Sequence, residues 1–446
     1  MAAPTEAVAR SAMTEKPPVE TVAVAPAAGT KRRRARASAP AAPRNRLISF
    51  LQEHQISLPI QILSLLGAVH TFAPQQQLTR AFLFLSYRNP ETGLYGNGKD
   101  DSYFVFTWVV LFTLLRAVSL DYIYVPLARR ANIRSRKDLD RFSEQAWLLQ
   151  YYAFTFPLGI YLMYNSPYWL NLAHLWTGWP HRELRGLFKL YYLVQLAFWI
   201  QQIYVLHVEK RRKDHNQMFT HHILTSLLLS ASYNHYFTRI GHVTLCLMDV
   251  TDVIMPIAKM LKYLGYETLC NLAFGLFTVS WFIARHVLYV KVTLSAMFDS
   301  HRLIGYQCFL DGSATSAVSA PLAVVDPAQL NSSQLGDIPA PPAKPSVLTL
   351  SGAANIAAQA VVGSGPEQCF TEVMQYSFIT LLWLLELLAL VWFYMIVRVV
   401  VKVLGDGVAE DSRSDDEDDD GDGDDSLPDE DVADDAVPAV KAPAAD

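Results

Sequence analysis

Seven stretches of this chain are apolar over the length that crosses a bilayer, and nothing else in the sequence limits its fold as much. A hydrocarbon core of about 30 Å needs about 20 helical residues. Residues 102–127, 144–164, 186–207, 219–237, 240–264, 268–292 and 376–402 meet that length within a few residues, and an eighth stretch, 56–73, is shorter. The expected fold is an all-α integral membrane protein with about eight transmembrane helices, or seven if 56–73 does not span. Tyr168 to Pro180 is Trp-rich but short and reads as an interfacial loop.

Charge is distributed to match. The formal net charge of −5 conceals three unlike pieces. Residues 1–46 carry nine basic and three acidic side chains, show no apolar period, and are expected to form a disordered basic arm without the apolar core of a signal peptide. Residues 406–446 carry two basic and eighteen acidic side chains and are expected to form an open acidic tail, in which Ser412 and Ser414 precede an acidic run suited to an acidophilic kinase. Between them lie an N-terminal set of spans and loops, 47–137, and a second membrane unit, 138–405. A nucleic-acid-binding function is excluded by this composition.

The loops fix an orientation. Arg129, Arg130, Arg134, Arg136, Lys137 and Arg141 follow one span, Lys210, Arg211, Arg212 and Lys213 follow another, and Lys259 and Lys262 close a third. The opposite loops are poorer in Lys and Arg, so the basic side and both termini are expected in the cytosol. Residues 293–375 then face the other compartment. They hold the sequon at Asn331, a candidate glycosylation site, and Cys308 and Cys369, a candidate disulfide bracketing the loop. Cys246 and Cys270 fall within spans and are expected to be buried thiols. No Cys/His spacing suggests a metal site.

Ionisable side chains inside a membrane are costly and therefore mark function. Here they are Arg116, Asp121, His221, His222, Asp249, Asp252, Lys259, Arg285, His286 and Glu386. A hairpin turning near Thr238 puts His221 and His222 level with residues near 254–255, with Asp252 within a turn of that level and Asp249 about two turns from it, both acids on one helix face. Lys259 falls near that face. An imidazole there can take a proton from an amine or attack a thioester, and a carboxylate can orient it. A diiron site would need several further histidine boxes, and an elongase-type HxxHH box would need His where Met218 stands. A structural His–Asp network is the remaining alternative. Arg285 and His286 are placed toward the far end of their span as snorkelling residues, and His235 and His242 at the interface beside the turn.

The run from His221 to Tyr263 resembles the Lag motif of ceramide synthases: His221, His222, Thr225, Ser232, Tyr233, Arg239, Gly241, Asp249, Asp252, Lys259 and Tyr263 occupy its positions. The basic arm, the long loop before the last span and the acidic tail look like the fungal branch, whereas Met248 stands where animal relatives often carry His. The resemblance implies a TLC domain over 138–405, a six-helix bundle enclosing a lipid cavity. It implies an endoplasmic-reticulum enzyme transferring a fatty acyl group from acyl-CoA to the amine of a sphingoid base, with no cofactor. His221, His222, Asp249 and Asp252 would be catalytic; Tyr233, Arg239, Lys259, Arg116, Arg211 and Arg212 would contact substrates. Implied partners are acyl-CoA, the sphingoid base and membrane lipids, with a homodimer and a small single-span regulatory subunit left open. The alternative is a non-catalytic TLC-type lipid sensor or translocation-associated factor.

Overall fold

The computed structural model describes residues 46–209, 214–306, 308–310 and 367–406. Arg211, Arg212, Asn331, Ser412 and Ser414 lie outside the described residues, as do the two charged tails and most of the long loop. Three helices come first: α1 (Arg46–Glu53), α2 (Ser57–Phe72) and α3 (Gln77–Leu83). The long helices follow: α4 (Asp101–Arg130), α5 (Arg136–Tyr164), α6 (Gly186–Val208), α7 (His215–Asn234), α8 (Thr238–Tyr263) and α9 (Glu267–Phe298). A short α10 (Ser300–Ile304) leads to strand β1 (Cys308–Leu310), which pairs antiparallel with β2 (Glu367–Cys369) before α11 (Glu372–Asp406).

Each apolar stretch is thus a helix. Among the described residues four helices, α4, α8, α9 and α11, are long and apolar enough to cross a membrane, and the chain is a multi-pass membrane protein. Helices α5, α6 and α7 are 29, 23 and 20 residues long. In α6, Lys189, Gln195 and Gln201 are fully buried. Contacts run α5–α6–α7–α11–α9–α8 and back to α5, closing a ring of six helices. Helix α4 packs outside the ring on α6, and α2 and α3 pack on α4.

Two close approaches hold the ring at the end where α7 turns into α8. A Cβ on Gly241 would lie 2.0 Å from the Tyr192 hydroxyl, so glycine is what lets α8 meet α6 here. Nearby, Lys189 Nζ pairs with Asp101 Oδ1 at 2.7 Å and donates to the carbonyls of Ser86 and Gly96. Asp101 Oδ2 in turn accepts from the Tyr233 hydroxyl at 2.7 Å. This buried cluster pins the segment preceding α4 to α6 and α7.

The stretch from Tyr168 to Pro180 does not span, and it packs inward at one end of the ring. Leu175, Trp176 and Trp179 are each no more than 3% exposed and cap the ring. Trp176 Nε1 donates to Ser295 Oγ, and Trp179 Nε1 donates to the His235 carbonyl. Burial, with Arg239 nearby, holds His181 in this cap down at about 4, so it is neutral near pH 7. His242 is fully buried rather than interfacial: its Nε2 donates to the Gly159 carbonyl, and its Nδ1 accepts from the Tyr168 hydroxyl. The strand pair closes the same end. Residues 308 and 369 stand opposite in register, Cys369 is disulfide-bonded, and Phe370 is buried against Trp179 and Phe237. Cys246 and Cys270 are buried free thiols, as expected.

Candidate active site

Two cavities occupy the ring. The larger, about 340 Å³, is lined by side chains from α4 to α9 and from α11. Toward the α6–α7 connection its wall is charged and mixed in sign: Arg116, Glu144, Glu209, Asp214, Lys259 and Lys262. Deeper, it is aromatic, with Tyr152, Phe198, Trp199, Phe277, Trp281 and Trp392. The second, about 70 Å³, is almost wholly apolar and runs toward the α7–α8 turn, where Trp176, Phe237, Phe370 and Phe378 line it. Four residues line both cavities: Trp199, His221, Asp252 and Arg285. They mark where a polar entrance meets an apolar chamber.

Helix α7 supplies both histidines. Successive residues on a helix diverge by about 100°, and accordingly His221 lines both cavities while His222 lines only the larger. Both are buried, their rings 5.6 Å apart at the centroids. Trp199 contacts both rings, and Trp392 meets His221 edge-on at 5.1 Å. The Nδ1 atoms of both lack a hydrogen-bond partner among the described residues.

The carboxylates sit differently from the expectation. Neither hydrogen-bonds an imidazole among the described residues. Asp249 is fully buried and away from both cavities; its Oδ2 accepts from Gln195 Nε2 at 2.9 Å, and Gln195 also accepts from the Tyr151 hydroxyl at 2.5 Å. Asp252 does line the junction, and its partner is Arg285, whose Nη2 lies 3.1 Å from Oδ1. The three-residue spacing that sets both on one helix face does not give them one environment: Asp249 meets Gln195 of α6, and Asp252 meets Arg285 of α9.

Arg285 is the residue whose place the sequence misrepresented. It does not snorkel: it is 4% exposed and stands at the level of Asp252. Its helix extends to Phe298, beyond the apolar stretch, so position 285 lies well inside. A π-helical segment, Phe282–Leu288, carries it. Such insertions re-aim side chains and recur at functional sites. His286, the next residue, turns toward α11 instead and pairs with Glu386 at 2.7 Å, outside both cavities.

Of the proposed substrate contacts, Arg116 and Lys259 line the larger cavity. Arg116 does so while paired with Glu209 rather than with Asp121, which is exposed. Tyr233 and Arg239 do not reach either cavity. Tyr233 belongs to the Asp101 cluster, and Arg239 donates to the His174 and Thr177 carbonyls and lies over the Tyr168 ring, holding the Trp cap. Trp199, Glu144, Gln202 and Glu209 line the larger cavity unannounced, since single residues in apolar or linker stretches carry no spacing signal. Among the described residues, no group of His, Cys, Asp and Glu could hold a metal ion.

Residues 141–398, more than half of the chain, match the family described as TRAM_LAG1_CLN8, the TLC domain. The chain belongs to the TLC domain family. The matched stretch contains all four junction residues, helices α6 to α9, and most of α5 and α11. Three similar proteins are from fungi. A sphingosine N-acyltransferase-like protein ALT7 of Alternaria alternata is 37% identical over 84% of this chain and 78% of its own length. A ceramide synthase FUM18 of Gibberella moniliformis is 36% identical over 78% and 75%. The sphingosine N-acyltransferase lag1 of Schizosaccharomyces pombe is 34% identical over 82% and 80%.

Proposed function

We propose that this TLC protein is a ceramide synthase, transferring a fatty acyl group from acyl-CoA to the amine of a sphingoid base and releasing CoA. The observation that carries the reading is the placing of His221 where a charged entrance meets an apolar chamber. The reaction needs such a junction. The thioester joins a polyanionic CoA to a lipid tail, so its carbonyl belongs between a wet mouth and a dry chamber. A sphingosine N-acyltransferase and a ceramide synthase similar over most of the chain support the same chemistry.

Roles follow from position. The acyl tail enters the smaller chamber past His221, and CoA stays toward the mouth, where Lys259, Lys262 and Arg116 offer cations to its phosphates. The sphingoid amine approaches the junction from the larger cavity. His221 either removes a proton from that amine or first takes the acyl group itself. Asp249 acts at a distance, through Gln195, on the packing of α6 and α8. The acyltransfer unit is assigned to residues 138–405, a span the matched stretch supports. The disulfide-bonded Cys369 and the basic stretch from Arg129 to Arg141 lie at opposite ends of the ring, which supports a lumenal α7–α8 turn, a cytosolic mouth and residence in the endoplasmic reticulum. The disulfide partner is taken to be Cys308, which stands opposite Cys369 in register.

Membranes containing the chain, given a sphingoid base and labelled acyl-CoA, are expected to yield a labelled amide. A chain-extended acyl product or no product would remove the reading. The chamber also sets a preference. Phe378 is half-buried on its wall beside Phe237. F378A frees space for further methylenes and is expected to shift the ratio of longer to shorter products by about tenfold, since one methylene in an apolar pocket is worth about 1–3 kcal/mol. Competition between two acyl-CoAs of different length, scored by product mass, checks this.

A further inference from the structure

We propose that Arg285 receives the carbonyl oxygen of the acyl thioester as that oxygen becomes an oxyanion. This rests on the acyl-transfer reading above and assigns to the reaction a residue outside the His/Asp motif.

Three observations carry it. Arg285 is one of the residues lining both cavities, so it stands at the same junction as His221, where the thioester carbon must lie. Its guanidinium is fixed: Nη2 is held by Asp252 Oδ1, Thr251 Oγ1 at 2.7 Å and the Met248 carbonyl at 3.2 Å, Nε is held by Thr251 Oγ1 at 3.2 Å, and the plane lies over the Trp281 ring at 3.9 Å. These bonds use Nε and Nη2 and leave the two Nη1 donors without a partner among the described residues. A donor pair anchored on its other side and open toward a cavity is preorganised for charge that develops there, and such donors are worth far more in a dry site than in water.

The chemistry balances. A nucleophile, the sphingoid amine or the His221 imidazole, adds its electron pair to the thioester carbonyl carbon. The π pair of the C=O bond moves to oxygen, and Nη1 donates to that oxyanion. The oxyanion collapses, the C–S bond breaks, and CoA leaves as thiolate, which takes up the proton lost by the nucleophile; where that nucleophile is the imidazole, the amine then adds to the acyl-imidazole carbonyl through the same oxyanion, the C–N bond to His221 breaks, and the amine proton returns to the imidazole. Asp252 keeps the guanidinium in place and is a positioning residue in this account.

The test uses the purified full-length chain with sphinganine and palmitoyl-CoA. R285A is expected to lower kcat by about 10²–10³-fold, the usual effect of losing an oxyanion donor. Binding of a thioether analogue of palmitoyl-CoA, which lacks the carbonyl, should be unchanged, and added guanidinium below denaturing concentrations should restore part of the rate. R285K, which keeps the charge but not the fork, should fold normally and still lose kcat at least about tenfold. The proposal is overturned if R285K or a folded R285A turns over like the wild type, or if analogue binding falls as far as kcat. A wild-type chain that makes no amide overturns the acyl-transfer reading itself, whereas amide from the wild type with full activity in the variants overturns the role of Arg285 alone.

Discussion

H221A is expected to abolish amide formation while the chain stays folded and inserted in the membrane. A base or nucleophile at the reacting carbon contributes roughly 10²–10⁴-fold or more, and among the imidazoles of the described residues only that of His221 lines both cavities. Its structural contribution is small by comparison, because its Nδ1 makes no hydrogen bond among the described residues and its contacts are with the faces and edges of Trp199 and Trp392. H222A should also lose turnover, since the two rings touch and share Trp199, but it removes a group that lines only the larger cavity. Initial rates at saturating substrates, with the melting temperature followed in parallel, separate loss of chemistry from loss of fold. Incubation with acyl-CoA alone separates the two chemical roles: an acyl adduct on the peptide holding residue 221, seen by denaturing mass spectrometry, assigns the imidazole as nucleophile, and its absence assigns it as base.

K189M is expected to do the reverse, sparing chemistry and weakening the fold. Lys189 is fully buried, and its Nζ joins Asp101 and two backbone carbonyls. Methionine fills nearly the same volume but leaves Asp101 as an uncompensated buried charge and the Ser86 and Gly96 carbonyls without their donor. Breaking a buried pair in this way costs about 3–5 kcal/mol. The cluster lies outside both cavities, so kcat per folded molecule should remain near that of the wild type. Pairing K189M with D101L should recover much of the loss. Thermal unfolding of the two single variants and the double variant in detergent gives the coupling directly.

How far the sequence reaches can be judged from these residues. The helices were legible because membrane spans must be long and apolar, and the His221–Tyr263 motif was legible because its spacing is dense. Arg285 was not: the apolar stretch ending at 292 put it near a helix end, whereas the helix continues to Phe298 and a π segment turns the side chain inward. The pairing of the acids was also out of reach. Spacing sets Asp249 and Asp252 on one face, but whether each meets an imidazole, an amide or a guanidinium depends on ring closure between helices far apart in the chain. Lys189 and Asp101 drew no notice for the same reason, since each is a single charge in or beside an apolar stretch, and only the fold brings them to 2.7 Å. Arg239 and Tyr233 belong to the same motif as His221 and His222, yet both hold the ring together at its far end.

The central claim is that acyl transfer occurs at the junction marked by His221. Its most direct test measures both products at once from purified protein supplied with acyl-CoA and a sphingoid base. The wild-type chain is expected to release free CoA and amide in equal amounts, and H221A, melting at the same temperature, neither. Amide formation by H221A at the wild-type rate would contradict the account.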